Sequence, residues 1–250
     1  MKKTILLLHG LRGDHHGLAE LAELLEKRGY KVLNPDLPGY GEAGNLDKKT
    51  LSAYSEWIHS IVAAQKEKPI IVAHSMGSII ASHYLCEHPG ETQQKAVFVS
   101  PIFRSDFSQK SSNIRCALTV MALSLLPPKP RLGLMRSKLA SFCISHYLTS
   151  DHKQSKKIDE MHFKYSGNVN SDKGLLDDIK ISMKEQTKPV AQLDIMYIIG
   201  KKDRLTSSKL AKQRAAKNGA KFTEIDGAGH LINYERPELL ADRIDEFLKG

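Results

Sequence analysis

A serine, an aspartate and a histidine stand along the chain in an order that suits nucleophilic chemistry. Ser75 lies in the sequence Ala-His-Ser-Met-Gly of residues 73–77, directly after a continuous apolar run. Asp203 and His230 follow, each after a further apolar segment. Serine is a poor nucleophile at neutral pH, so it needs a base to take its proton and a third group to orient that base. The three residues together could attack a carbonyl carbon.

The residues around Ser75 predict a sharp turn from a buried strand into a helix. Strand and helix backbones pass close together in such a turn, and the central residue has a strained backbone. The positions two before and two after the serine must therefore be nearly free of side chain, which Ala73 and Gly77 satisfy. The Met76 amide would then be free to donate to an oxyanion. A turn with a capping serine is the alternative.

The motif at Ser75 resembles the Gly-x-Ser-x-Gly nucleophile elbow of α/β-hydrolases, with Ala73 in place of the first glycine. The order Ser75, Asp203, His230 is also the order of the catalytic triad in that family. The resemblance implies that the serine is the nucleophile, the histidine its base and the aspartate the group that orients the histidine.

Two loops extend this resemblance. The sequence His-Gly-Leu of residues 9–11 follows the first apolar strand, where the family forms the loop that provides an oxyanion donor. The resemblance implies that the backbone N–H groups of Leu11 and Met76 form the oxyanion hole. The loop at residues 35–41 looks like the Asp-x-x-Gly-x-Gly connection of the family, which is structural there.

Other aspartates and histidines fit the predicted site less well. Asp194 would lie at the wrong end of its strand, and Asp226 is four residues from the catalytic histidine. His74, inside the elbow, is expected to be structural. For His9 and His15 a place in the pocket stays open.

The alternation of apolar segments with helical patterns predicts a single α/β fold. Parallel strands with right-handed crossovers place an active site outside their carboxyl ends. The resemblance implies the α/β-hydrolase fold, a mostly parallel six-stranded sheet flanked by helices with a helical cap inserted after the fourth strand. Residues 1–101 and 190–250 would form the core, and residues 102–189 the cap. The six predicted strands cover residues 3–9, 31–34, 69–73, 95–100, 193–199 and 221–225.

The composition narrows the classes of function. The chain has 250 residues and a net charge of +9, yet it has no zinc-ligand spacing, RNP-like strand or long basic run, so no nucleic-acid partner is predicted. No stretch reaches the roughly 20 apolar residues of a membrane-spanning helix. Three cysteines without C-x-x-C spacing predict free thiols and a cytoplasmic location. Acyl transfer on a triad needs no metal or organic cofactor.

The segment after the fourth strand carries most of the excess positive charge. Residues 102–150 contain seven basic residues and one acid. The apolar run at residues 117–126 suits a lid over an acyl pocket or a surface that touches lipid, and a buried cap helix is the alternative. The segment is loosely similar to the caps of monoacylglycerol lipases and lysophospholipases. That similarity implies a small-molecule ester with a medium or long acyl chain, and transient contact of the cap with a membrane surface.

The same machinery serves other reactions. A thioesterase, an aminopeptidase, a carbon–carbon bond hydrolase or a lyase of this fold would use the same triad, and a basic cap would also suit an anionic substrate. A binding protein of low turnover is a further alternative. The sequence predicts a serine hydrolase that cleaves carboxylic esters through an acyl-enzyme. It leaves acyl length, head group and oligomeric state open.

Overall fold

The computed structural model describes residues 2–103, 127–135, 137–150, 160 and 172–250. The strands in these ranges are β1 Thr4–Leu8, β2 Lys31–Leu33, β3 Ile70–His74, β4 Lys95–Val99, β5 Asp194–Gly200 and β6 Lys221–Ile225. The helices there are α1 Ala19–Lys27, α2 Leu51–Ala63, α3 Met76–Glu87, α4 Pro128–Met135, α5 Lys138–Leu148, α6 Asp172–Lys184, α7 Ser208–Asn218, α8 Ile232–Glu235 and α9 Pro237–Lys249, with a 3₁₀ turn at His15–Leu18.

The six strands form one parallel sheet in the order β2-β1-β3-β4-β5-β6. Leu8 pairs with Ala73 and His74 pairs with Val99, so the carboxyl ends of β1, β3 and β4 meet at one edge. The chain order reverses between β1 and β3, and such a reversal opens a crevice at the carboxyl edge. The predicted fold is confirmed, and every strand pair is parallel.

The sheet is buried on both faces. Leu6 and Leu8 of β1 pack in the core cluster that α2 and α3 cover, whereas Ile5 and Leu7 pack in the cluster that α1 and α9 cover. Successive side chains of a strand point to opposite faces, so a strand covered on both faces reads as a continuous apolar run. Helix α9 begins at Pro237 and buries the predicted residues Leu240, Ile244, Phe247 and Leu248.

The segment between β4 and β5 is helical in its described residues, which form α4, α5 and α6. Its two ends meet where the Thr187 amide donates to the Ile102 carbonyl at 2.8 Å. The predicted apolar helix at residues 117–126 lies outside the described residues, and the division into core and cap stays a prediction. Within the described part of the chain, no helix has the length and apolar character needed to cross a membrane.

Candidate active site

Ser75 forms the turn between β3 and α3 with a left-handed backbone, φ 54° and ψ −120°. This conformation costs about 1–3 kcal/mol for a residue with a Cβ, so its surroundings must hold it. The Ser75 amide donates to the Val99 carbonyl at 2.9 Å, and the Ser75 carbonyl accepts the Ser78 hydroxyl at 2.6 Å. Helix α3 begins at the next residue, as the elbow prediction requires.

Two glycines allow the elbow to lie against the end of β1. A Cβ at Gly77 would come within 2.6 Å of the His9 carbonyl oxygen, and a Cβ at Gly10 would lie 2.9 Å from the Ser75 Cβ. Both distances are too short for a carbon contact, so these positions require glycine. Ala73 is fully buried, and its methyl group is accommodated there.

A chain of hydrogen bonds joins Ser75, His230 and Asp203. His230 Nε2 lies 2.9 Å from Ser75 Oγ, and His230 Nδ1 lies 2.8 Å from Asp203 Oδ2. Asp203 Oδ1 accepts the amides of Leu205 and Thr206, each at 2.8 Å. The aspartate and histidine side chains are buried. A carboxylate at Nδ1 fixes the ring proton there and leaves Nε2 to accept the serine hydroxyl.

The loop that carries His230 passes tightly between β5 and the end of α5. A Cβ at Gly200 would lie 2.1 Å from the Gly229 carbonyl oxygen, so the close approach requires glycine. The His230 amide donates to the Leu148 carbonyl of α5 at 2.8 Å. Buried Glu235 accepts the Gly229 amide at 2.6 Å. The position of the imidazole is therefore set by backbone contacts to β5 and α5 and by the Glu235 carboxylate.

His74 neighbours the hydrogen-bonded chain without belonging to it. Its Nε2 donates to the His230 carbonyl at 3.0 Å, and the Ser100 hydroxyl donates to the same oxygen at 3.2 Å. Burial, together with the nearby His230 ring, lowers the pKa of His74 to about 3. The ring is therefore neutral, and its contacts agree with the structural role expected from the sequence.

His9 and His15 make their hydrogen bonds within the loops. His9 Nδ1 donates to the Gly10 carbonyl at 2.8 Å, and its Nε2 accepts the Leu37 amide at 2.8 Å. Desolvation by burial lowers the pKa of His9, which keeps this ring neutral. His15 Nδ1 donates to Asp36 at 2.9 Å and so ties the loop after β1 to the loop after β2.

The two alternative aspartates lie away from the histidine. Asp194 begins β5, at the opposite edge of the sheet from Ser75, and pairs with Lys221 at 3.3 Å. Asp226 has a side chain that is 82% exposed and pairs with Lys201 at 2.9 Å. The structure brings Asp203 to the imidazole and leaves these two carboxylates outside.

The Leu11 amide belongs to the loop after β1, and the Met76 amide belongs to the elbow itself. Met76 is the first residue of α3, so its N–H has no acceptor within the helix. Leu11 lies in a turn closed by a hydrogen bond from the Gly13 amide to the Gly10 carbonyl at 3.1 Å. Among the backbone hydrogen bonds of the described residues outside helices and strands, neither amide is a donor. Both remain able to donate to a bound oxygen atom.

A sequence model described as the alpha/beta hydrolase family matches residues 5–243. The chain belongs to the alpha/beta hydrolase family. A pimeloyl-(acyl-carrier protein) methyl ester esterase from Chromobacterium violaceum is 32% identical over 124 residues, which cover 48% of this chain and 46% of that protein. Three curated relatives, this one included, are matched over only 31% to 46% of their own lengths.

Solved structures of this alpha/beta hydrolase fold match almost the whole chain. An esterase from Exiguobacterium antarcticum has a TM-score of 0.81 at 16% identity, covering 99% of this chain and 92% of that one. A bromoperoxidase from Bacillus anthracis has a TM-score of 0.83 at 15% identity, covering 100% and 93%. Because these two proteins carry different names, the shared fold does not fix the reaction. None of these three proteins is named a monoacylglycerol lipase or lysophospholipase, so that resemblance stays a prediction.

This alpha/beta hydrolase also has buried polar residues that the sequence does not reveal. Asp178 of α6 is fully buried and accepts the hydroxyls of Tyr40 and Tyr54 at 2.6 and 2.8 Å, while Lys49 pairs with it. A single aspartate in a helix gives no sign of burial. Glu235, which holds the histidine loop, lies before Pro237 in a segment whose sequence indicates only a helix start.

Metal-binding side chains are not grouped within the described ranges. No cluster of three or more histidine, cysteine, aspartate or glutamate residues there could hold a metal ion. Cys86 and Cys143 are free, exposed thiols, and Cys116 lies outside the described residues. The groups placed around Ser75 are thus a hydroxyl, an imidazole, a carboxylate and backbone amides.

Proposed function

We propose that the protein is a serine hydrolase that cleaves carboxylic esters of small molecules through an acyl-enzyme. The observation that carries the proposal is the hydrogen-bonded chain from Ser75 through His230 to Asp203, with distances of 2.9 and 2.8 Å. The ester as substrate class is supported by relatives named esterases in both sequence and structure comparisons.

The arrangement suggests how each step proceeds. Ser75 Oγ attacks the carbonyl carbon while His230 Nε2 takes its proton, and Asp203 stabilises the imidazolium that forms. The amides of Leu11 and Met76 stabilise the oxyanion, aided by the positive end of α3. The imidazolium then protonates the leaving alcohol. Water, deprotonated by the same imidazole, attacks the acyl-enzyme, and the imidazolium returns the proton to Ser75 Oγ as the acid leaves.

The segment between β4 and β5 is proposed to act as a cap that meets lipid-like substrates. Large apolar side chains that are exposed in the described part of the chain all lie on α4 and α5, and they are Leu134, Leu139, Phe142 and Tyr147. Exposed Lys129 and Lys138 lie on the same two helices, and residues 127–150 contain no acid. An apolar face with a basic border suits a medium or long acyl chain and transient contact with an anionic membrane surface.

Replacement of the proposed nucleophile tests the reaction. We expect Ser75→Ala to lower the hydrolysis of nitrophenyl esters about 10⁴- to 10⁶-fold while its thermal unfolding matches wild type. Wild type should also be labelled once per chain by a fluorophosphonate and turn over steadily, which separates an enzyme from a binding protein. Activity of the variant within tenfold of wild type would reject the scheme.

Two measurements test the substrate and the surface. Activity should rise along a series of esters from acetyl to lauroyl and exceed that on matched thioesters and amides; activity confined to acetyl esters would remove the lipid assignment. Binding to vesicles with anionic lipid should weaken in Lys129→Ala/Lys138→Ala and persist in the control Lys212→Ala/Lys217→Ala on α7. Equal binding to neutral vesicles would contradict the membrane contact.

A further inference from the structure

A buried polar cluster connects α6 with the loop that follows β2. Asp178 accepts the hydroxyls of Tyr40 and Tyr54 and pairs with the ammonium group of Lys49. The Lys49 Nζ also lies 4.4 Å from the centre of the Tyr40 ring. A buried carboxylate is tolerated when its lone pairs are satisfied, so the cluster holds its members in fixed positions.

Tyr40 continues from this cluster to the loop after β1. Its ring packs edge-on against the His9 ring, with centroids 5.5 Å apart and planes at 81°. The backbone N–H of Arg12 also acts on the Tyr40 hydroxyl, where it opposes the rise in the pKa of that group that burial causes. Tyr40 therefore interacts with residues on both sides of Leu11. The Tyr54 hydroxyl donates to the same carboxylate, but the Tyr54 ring packs in the core cluster and has no ring contact with His9 among those of the described residues.

The position of the His9 ring helps to set the orientation of one peptide group, the one between Gly10 and Leu11. Its Nδ1 donates to the Gly10 carbonyl at 2.8 Å, and the Leu37 amide fixes the other side of the ring at 2.8 Å. The Gly10 carbonyl and the Leu11 N–H belong to the same planar trans peptide, so they point in opposite directions. A fixed carbonyl direction therefore fixes the direction of the N–H that is proposed as an oxyanion donor.

We propose that Tyr40, anchored by Asp178 of α6, is a positioning residue for the oxyanion hole. It keeps the His9 ring in the orientation that aims the Leu11 N–H at the oxyanion. The packing of α6 and the alignment of the oxyanion donor are then coupled, because the same tyrosine side chain contacts both Asp178 and His9. The proposal rests on the proposed ester hydrolysis and adds a connection between the inserted segment and the chemistry.

The two tyrosines provide a matched experiment. Tyr40→Phe and Tyr54→Phe each remove one hydroxyl that donates to the same buried carboxylate, so both should lower thermal stability to a similar extent. Complete loss of an oxyanion donor costs about 10²- to 10³-fold in kcat. Misalignment costs less, and we expect Tyr40→Phe to lower kcat about tenfold with KM within twofold of wild type. Tyr54→Phe should keep kcat within twofold.

The rate of Ser75 labelling by a fluorophosphonate provides a second readout, because the phosphonyl oxygen needs the same donors. Equal kcat and labelling rates in the two tyrosine variants, or an effect on KM alone, would overturn the positioning role. That result would leave ester hydrolysis intact wherever Ser75→Ala remains inactive. Retained activity in Ser75→Ala would instead reject the proposed function itself.

A second variant covers the case in which Tyr40→Phe does not fold. In His9→Gln the side-chain amide can meet the Leu37 amide in place of Nε2, but the Gly10 carbonyl loses the His9 Nδ1 donor and keeps only the Gly13 amide at 3.1 Å. We expect a kcat reduction of about tenfold or more with little change in KM. A kcat within twofold of wild type would overturn the proposal.

Discussion

The edge of the sheet that carries Ser75 and the segment between β4 and β5 are held by different kinds of contact. Ser75 is fixed by backbone, through the hydrogen bond of its amide to Val99 and the close approach of Gly77 to β1. The described part of the segment is fixed to the core largely by side chains: apolar ones such as Leu175 and Ile179, and polar ones with Asp178 at the centre of one cluster. Backbone contacts persist through most substitutions, whereas a buried side-chain cluster depends on each member.

The segment nevertheless reaches each part of the proposed machinery. The hydroxyls of Ser78 and Thr187 lie 2.7 Å apart beside the elbow, and the Leu148 carbonyl accepts the His230 amide at 2.8 Å. Glu235 joins the amides of Ser150 and Gly229, each at 2.6 Å. The difference between the two regions suggests that the sheet sets the approximate positions of Ser75 and His230 and that the segment adjusts them.

The largest effect is expected when the side-chain cluster loses a member. Lys49→Met leaves the Asp178 carboxylate buried without its cation, and breaking a buried pair costs about 3–5 kcal/mol in the free energy of unfolding. The control is Lys180→Met in α6, because Lys180 pairs with Asp177 at the surface and such pairs contribute below about 1 kcal/mol. Urea unfolding of both variants measures the difference. Similar losses would mean that the cluster does not anchor the segment.

A smaller effect is expected where the backbone frame is crowded. In Gly77→Ala the new methyl group meets the His9 carbonyl oxygen at 2.6 Å, and overpacking of this kind costs about 1–3 kcal/mol. Gly44→Ala is the control, since a Cβ there meets no atom within 4 Å. Urea unfolding should separate the two variants by at least about 1 kcal/mol, and ester hydrolysis should fall only in the first. Equal stability would show that β1 can shift to admit the methyl group.

The same comparison explains what could be predicted from sequence. The strands were predictable because strands buried on both faces are continuous apolar runs, and the elbow was predictable because its steric demand leaves small residues at 73 and 77. Asp178 was not, because burial of a polar side chain is decided by tertiary packing. Asp177 and Asp178 are neighbours of the same type in α6, yet only the second is fully buried.

The smallest effect on the free energy of unfolding is expected from a change of pH. It concerns the edge of the sheet that carries Ser75. The pKa of His74 is about 3 in the folded protein and about 6.5 in an unfolded chain. Between these values the unfolded state binds a proton that the folded state does not. The free energy of unfolding should therefore decrease as the pH falls below about 6.5, by about 1.4 kcal/mol per pH unit for one histidine. His9, whose pKa is also lowered by burial, acts in the same direction.

Urea unfolding at pH 7.5, 6.5 and 5.5 measures this slope, and His74→Gln assigns it. A glutamine amide can still donate to the His230 carbonyl but does not titrate. Below pH 6.5 the slope of the free energy of unfolding against pH should therefore decrease by the amount that corresponds to about one proton taken up on unfolding. An unchanged slope would assign the acid sensitivity to other groups. A reduced slope would assign the acid sensitivity to His74. Protonation of this buried ring would then be the change that destabilises the edge of the sheet that carries Ser75, at the contact between His74 and the loop of His230.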